Sequence, residues 1–379
     1  MDASNSGPPF RADHVGSLLR PEPLLHAREE FTHGRLSADD LRAAEDQAIS
    51  DVVALQADAG LRTVSDGEFR RASWHMDFIY AIGGINRTEG DIAVHFHNAE
   101  GDIDFTPSGL HVDEPVHIDE PIFGEHFTFL RDEAAKVSAE LVPKLTVPSP
   151  SMVHYRGGRA SIDPEVYPDE DVFWADLSAA YASQVRGVHA LGGRYLQFDD
   201  TSLAYLNDPE QREHVRSIGG DAEHQHERYV EHINEALADK PDDMVVTTHM
   251  CRGNFRSSWA ASGGYDFVAE AVFGGLDVDG FFAEWDDERS GGFEPLRYLA
   301  PGKRVVLGLV TTKSGELESP DDLKRRIDEA ARYVDLDQLC LSPQCGFSST
   351  VEGNSLTIDE QKAKLELIVS VATDVWGSL

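Results

Sequence analysis

Short apolar runs alternate along the chain with longer stretches in which apolar residues recur every three or four positions. The first run, Ala12-Asp13-His14-Val15-Gly16, reads as a strand that turns at Ser17-Leu18-Leu19-Arg20-Pro21. From about 37 to 59, Leu41, Ala44, Ile49, Val52, Val53 and Leu55 keep a helical spacing, and Gly60 suits its end. A second strand near Thr63-Val64-Ser65 leads into Asp66-Gly67-Glu68-Phe69-Arg70-Arg71. Between about 82 and 125 the pattern changes. Alternation such as Ile92-Ala93-Val94-His95-Phe96, with scattered Gly and Pro, predicts a β-rich insertion after the second strand.

The regular rhythm then resumes. Helices are expected at about 131–141, 171–191, 208–238, 320–334 and 358–375, and strands at 144–147, 195–199, 244–250, 280–284, 304–309 and 338–342. Read together these make eight strand-helix units, the pattern of a (β/α)8 TIM barrel, with a doubly wound α/β sheet as the alternative. No Gly-x-Gly-x-x-Gly follows a strand, which argues against a dinucleotide fold. No linker or repeat divides the chain, so residues 1–379 are expected to form a single domain.

Composition narrows the class of partner. With 68 acidic against 33 basic residues the net charge is −35, and the acids are spread along the whole length. Such a surface repels nucleic acid and anionic membrane, and suggests adaptation to high salt. No apolar run is long enough to span a bilayer, and the first residues lack a signal pattern, so a cytoplasmic location is expected. Three cysteines, 251, 340 and 345, do not make a disulfide framework. Cys340, inside Leu339-Cys340-Leu341, is an odd number of residues from Cys345 and reads as a small buried apolar side chain.

The other two cysteines carry candidate chemistry. In an extended strand His249 and Cys251, two apart, project to one side and can grip one ion together. Glu284 and Cys345 stand just behind two further strand runs. In a barrel the C-terminal ends of all strands face one mouth, which brings these four together. A lone histidine here would be an ordinary core residue; two thiolates, an imidazole and a carboxylate suit Zn2+. Glu284 could act as the labile ligand, yielding to an incoming thiol that the metal activates as thiolate.

Taken in order, His14-Val15-Gly16-Ser17, Asp66-Gly67-Glu68, Leu196-Gln197-Phe198-Asp199-Asp200, His249-Met250-Cys251, Glu284 and Ser342-Pro343-Gln344-Cys345-Gly346 together resemble the cobalamin-independent methionine synthases, over nearly the whole chain. The counterpart is the catalytic C-terminal barrel of those enzymes. The resemblance implies that His249, Cys251, Glu284 and Cys345 hold zinc, that Gly16 and Ser17 bind the carboxylate of the amino acid, and that Glu68 and Asp199 hold its ammonium group. Asp200 is a weaker candidate beside Asp199. Paired carboxylates suit an ammonium, and the N–H and hydroxyl groups of a turn suit a carboxylate. The chain departs from the family in lacking the extra N-terminal half of the long enzymes. It places Lys313 where the family has a proton-delivering histidine, and Val147 where the family has a glycine.

The expected activity is therefore zinc-dependent methyl transfer to the thiol of homocysteine, giving methionine. The donor would be a methylfolate, or a methyl group on a corrinoid protein. Two alternatives stand beside it: an alkyltransferase acting on another thiol, similar to the epoxyalkane:coenzyme M transferases, and a non-catalytic zinc- or thiol-binding barrel. A sulfonate such as coenzyme M would prefer cations at the positions of Glu68 and Asp199, which favours homocysteine.

Overall fold

The computed structural model describes residues 7–89, 94–98, 101–105, 109–254, 257–258, 260–351 and 353–377. The leader reading of residues 1–6 and the alternation at Ile92 and Ala93 lie outside these. Eleven strands are present among the described residues: β1 (Thr63–Val64), β2 (Gly83–Thr88), β3 (Val94–Asn98), β4 (Gly101–Phe105), β5 (Gly109–His117), β6 (Val142–Pro148), β7 (Tyr195–Asp200), β8 (Val245–Met250), β9 (Gly280–Glu284), β10 (Arg304–Val310) and β11 (Leu339–Pro343).

Seven of them form one parallel sheet in the order β1-β6-β7-β8-β9-β10-β11. Each new strand pairs with its predecessor, which parallel geometry allows only if the chain returns over the sheet face each time. The returning helices include Ala38–Asp58, Gly124–Val137, Glu170–Ala190, Gln225–Leu237, Pro320–Ala330 and Ile358–Trp376. Local chemistry sets their ends. Ser37 accepts from the Asp40 amide at 3.1 Å, and Thr357 with Glu360 forms a reciprocal capping box.

The first expected strand differs. Only Ala12 bridges, in parallel, to Leu341, with Asp13 N–H donating to Leu341 O at 3.1 Å and Leu341 N–H to Arg11 O at 2.9 Å. The Asp13 carboxylate takes the amides of Phe10 (3.3 Å) and His14 (2.8 Å), so the backbone leaves the ladder there. On its other flank this segment meets the β1 side, where Leu18 N–H donates to Gly67 O at 3.1 Å. Two further expectations need correction. The helix expected over 208–238 is two helices, Pro209–Ser217 and Gln225–Leu237, parted at Gly219 (φ +85°) and Gly220. After β8 and β9 the described residues make only a π-helical turn, Glu270–Gly274, and short 3-10 turns at Glu288–Ser290 and Glu294–Tyr298. Glycines at 253, 263, 264, 274, 275, 291 and 292 deny these stretches a long helix.

Apart from the main sheet, β2 pairs with β5 and β3 with β4, both antiparallel. The two faces of the main sheet bury different things. The helix-facing core is large and apolar, and each fully buried Val, Leu or Phe there contributes roughly 1.5–3 kcal/mol. A separate small cluster holds Val15, Phe282, Val306 and Cys340. Cys340 is 0% exposed, as its reading as an apolar side chain requires. Beside it Lys144, fully buried, reaches Asp13 (3.3 Å) and Gln197 (3.1 Å) and lies 4.4 Å from the Phe282 ring centre. Tyr195 donates to the same Asp13 carboxylate at 3.0 Å. Each polar atom of this network has a partner, which its burial demands.

Candidate metal centre and substrate pocket

His249 ends β8 one residue before Met250, Glu284 ends β9, and Cys345 follows β11 by two residues. The parallel register puts all these ends at one rim. Cys251 prolongs β8, its N–H donating to Asp200 O at 2.8 Å. One ligand atom from each of His249, Cys251, Glu284 and Cys345 lies within 4.8 Å of all the others, and all four residues are buried. The two sulfurs are 3.4 Å apart. Arg252 braces Glu284 from behind: its amide donates to Oε1 at 2.9 Å and its guanidinium to the backbone oxygen at 2.7 Å.

The donor set behaves as a cation-binding cluster. Both ring nitrogens of His249 are buried without a hydrogen-bond partner among the described residues, an arrangement that costs about 1–3 kcal/mol per group unless something accepts the lone pair. Burial raises the Glu284 carboxyl to about 7, with the nearby Cys345 sulfur adding to the rise. Burial pulls His249 down, but the charges of Cys345, Asp199 and Glu284 outweigh it and hold the ring at about 9. The bond from Cys251 pushes Cys345 well below the usual thiol range, while the same contact pushes Cys251 well above it. Crowded negative charge of this kind is relieved by one shared cation.

His249, Cys251 and Cys345 of the cluster line a cavity of about 360 Å3, while Glu284 does not. Ser17, Glu68 and Asp199 share that cavity with His249, Cys251 and Cys345. Gly16 sits at φ +143°, and a Cβ there would lie 2.6 Å from Thr146 Cγ2, so only glycine allows the turn. Ser17 is held against Gly346, where an added Cβ would come 1.9 Å from the Ser17 hydroxyl. Glu68 occupies the left-handed region at φ +62°, a conformation uncommon for a residue with a side chain. Its carboxylate accepts from Thr146 (2.7 Å) and approaches the Arg71 guanidinium at 3.3 Å. Arg20 fixes the same turn by donating to the backbone oxygens of Glu68 (2.9 Å) and Arg71 (3.0 Å). Asp199 accepts from Gln197 at 2.7 Å. Burial, and then the charge of Glu68, raise Asp199 to about 7; Glu68 is raised by burial as well. Two buried carboxyls facing one cavity, with the charge of Glu68 raising Asp199, suit a cationic group.

Two candidates lie elsewhere. Asp200 is fully buried and takes the Ser202 hydroxyl and the Leu203 amide, each at 2.8 Å, so it caps the following turn. Lys313 does not line the cavity; it pairs with Asp286 at 2.7 Å. Burial lowers its pKa, but Asp286 and Glu284 outweigh that and raise it, so it keeps its proton. Reading the sequence missed Arg71, Thr146, Arg252, Trp74, His75, Tyr205 and Arg156. Arg71, three residues past Glu68, and Arg252, next to Cys251, could have been found by adjacency; Thr146 on β6, Tyr205 at the end of the short helix Ser202–Tyr205, and Trp74, His75 and Arg156 are brought to the rim only by the fold.

Residues 166–374 match the family model described as the catalytic domain of cobalamin-independent synthase. The chain is 46% identical to the uncharacterized protein YxjH of Bacillus subtilis over 97% of its own length and 95% of the relative's. It is 24% identical to a methionine synthase of Pyrococcus abyssi, over 88% and 85% of the two chains. Among solved structures it is similar to a Listeria monocytogenes protein assigned to the vitamin-B12-independent methionine synthases, at 36% identity and a TM-score of 0.76, covering 98% of this chain and 99% of that one. The chain belongs to the cobalamin-independent methionine synthase family, as a single short form of its catalytic domain.

Proposed function

We propose that this protein is a zinc-dependent methyltransferase that methylates the thiol of homocysteine to give methionine, with a methylfolate as donor. The observation that carries the reading is a cluster of four convergent N, S and O ligands, three of which line a cavity beside two buried carboxyls and Ser17. His249, Cys251, Glu284 and Cys345 would hold zinc, which when bound lowers the pKa of an entering thiol and presents it as thiolate. Glu68 and Asp199 hold the ammonium group, while the Ser17 hydroxyl and the Gly16–Ser17 turn take the carboxylate. The two anchor sites fix the amino acid at both charges, so its sulfur has one direction left, toward the ligands. The methyl group then leaves the donor nitrogen for sulfur, the thiol proton is released, and the donor nitrogen takes up a proton. Lys313, paired to Asp286, acts through the field at Glu284 and does not deliver that proton.

We read the sheet as a (β/α)8 barrel that closes through residues 11–18, and the chain 1–379 as one catalytic domain carrying an insertion at about 82–125. The family is defined as independent of cobalamin, which sets aside a corrinoid protein as donor. The epoxyalkane:coenzyme M type is disfavoured because Glu68 and Asp199 would repel a sulfonate.

The test is to supply homocysteine with 5-methyltetrahydropteroylglutamate and measure methionine by mass spectrometry, alongside the zinc content of wild type and Cys345→Ser. The expected result is methionine from wild type only, with zinc lost from the variant. Wild-type turnover by a metal-free Cys345→Ser protein would sink the reading.

A further inference from the structure

The cavity has an arm that the amino acid does not need. Its wall is formed by Trp74, His75, Tyr205 and Arg156. Tyr205 joins this arm to the metal cluster, because its hydroxyl lies 2.6 Å from the point where a Cβ on Gly253 would sit, two residues beyond Cys251.

Two side chains in the arm carry a buried nitrogen with no partner among the described residues. His75 is 8% exposed, and its ring centre lies 4.4 Å from that of Trp74. The Ser73 hydroxyl oxygen accepts from the Met76 amide and lies 3.2 Å from His75 Nδ1. In the tautomer that accepts the Ser73 hydroxyl at Nδ1 the ring proton sits on Nε2, and Nε2 is buried with no partner among the described residues. Among the described residues no hydrogen bond or ion pair reaches the Arg156 guanidinium, and its Nε is buried unpartnered.

In a chain with 68 acidic residues an arginine at the active cavity would be expected to find a carboxylate. None of the three carboxylates that line this cavity pairs with it among the described residues, and each has other contacts. Glu68 is taken by Arg71 and Thr146. Asp199 is taken by Gln197, and Asp77 by the amides of Ala72 (2.6 Å) and Ser73 (3.3 Å). The partner of Arg156 must then arrive with a ligand, and a guanidinium fork matches an oxyanion in two-point fashion.

We infer that this arm is a subsite for an oxyanion carried by the second substrate, bound by the Arg156 fork and the His75 Nε2–H against the Trp74 wall. The inference rests on the proposed methyl transfer and names the residues that read the donor. Zinc-loaded wild type, Arg156→Met and Arg156→Lys are titrated by calorimetry with 5-methyltetrahydropteroylglutamate and with 5,6-dimethyltetrahydropterin, which lacks the carboxylates. Inorganic phosphate serves as a competitor, and homocysteine affinity checks the fold.

The wild type should bind the carboxylated ligand at least tenfold more tightly than the pterin, with phosphate competing. Arg156→Met should lose that preference, Arg156→Lys should keep part of it, and both should bind homocysteine as wild type does. A preference that survives in Arg156→Met, equal binding of the two ligands by wild type, or binding of neither would overturn the subsite. Methionine made from the pterin donor without preference would leave the methyltransferase reading standing while the subsite falls. Carboxylate-dependent binding lost in Arg156→Met, with no methionine formed, would do the reverse.

Discussion

In the proposed reaction, acceptor choice turns on the buried carboxyl of Asp199. It stands in register with His249 on the neighbouring strand, so the group that would hold an ammonium is fixed one strand away from the group that would hold zinc. Replacement by Asn keeps the shape and the Gln197 contact but removes the charge. We expect Asp199→Asn to raise the KM for homocysteine about 10- to 100-fold, the loss of one charge-assisted contact. The amine-free analogue 4-mercaptobutyrate should be used equally by both proteins. Unaltered discrimination between the two thiols in the variant would remove Asp199 from that role.

His75 leads to a different prediction at the same scale. Burial, then the charge of Arg156, depress its pKa from 6.5 to about 3. In the folded chain it stays neutral where the unfolded chain would take up a proton, so its contribution to stability is full above pH 6.5 and is lost as pH falls toward 3. Unfolding free energy should fall by about 1.4 kcal/mol per pH unit from this group across that window. His75→Gln should flatten the slope by that amount in denaturant titrations at pH 4 to 7, and an unchanged slope would show that the ring is protonated in the fold.

At the scale of elements, each strand end supplies one part of the site and the turn after it supplies the support. The run after β11 shows this most plainly. Cys345 is a ligand candidate, and Gly346 is where the chain comes closest to Ser17, the end of the segment that enters the sheet beside β11. A methyl group at 346 cannot coexist with the present Ser17 rotamer. Gly346→Ala is therefore expected to retain zinc while weakening homocysteine binding roughly tenfold or more, since a displaced hydroxyl is a lost contact to a charged group. Loss of zinc together with binding would mean that the substitution moves Cys345 instead.

For the whole molecule the dominant quantity is the charge of −35. Exposed ion pairs such as Arg131 with Asp132 and Arg216 with Glu223 offset little of it in water. Screening shortens to about 3 Å at 1 M salt, which weakens the self-repulsion of the compact state. The melting temperature should rise between dilute buffer and molar KCl, and a flat response in differential scanning calorimetry would exclude salt adaptation. No helix among the described residues is long and apolar enough to cross a membrane.

The sequence by itself determined much of the alternation of strands and helices and pointed to the four residues that the fold gathers as a candidate ligand set. Periodicity is local, and His249 with Cys251 two apart in a strand is a local statement too. It also marked Gly16, Ser17, Glu68 and Asp199 through ordered motifs of the family. Periodicity did not disclose that Ala12–Gly16 would yield to the side chain of Asp13, or that the stretches after β8 and β9 would not be long helices. In those places a hydrogen bond or a glycine backbone overrides the apolar pattern. Only the tertiary structure decided that Lys313 is tied to Asp286, that Asp200 turns away from Asp199, and that Trp74, His75, Tyr205 and Arg156 share one wall. Those outcomes depend on which carboxylate each cation reaches first, a question of distance through space that spacing along the chain does not encode.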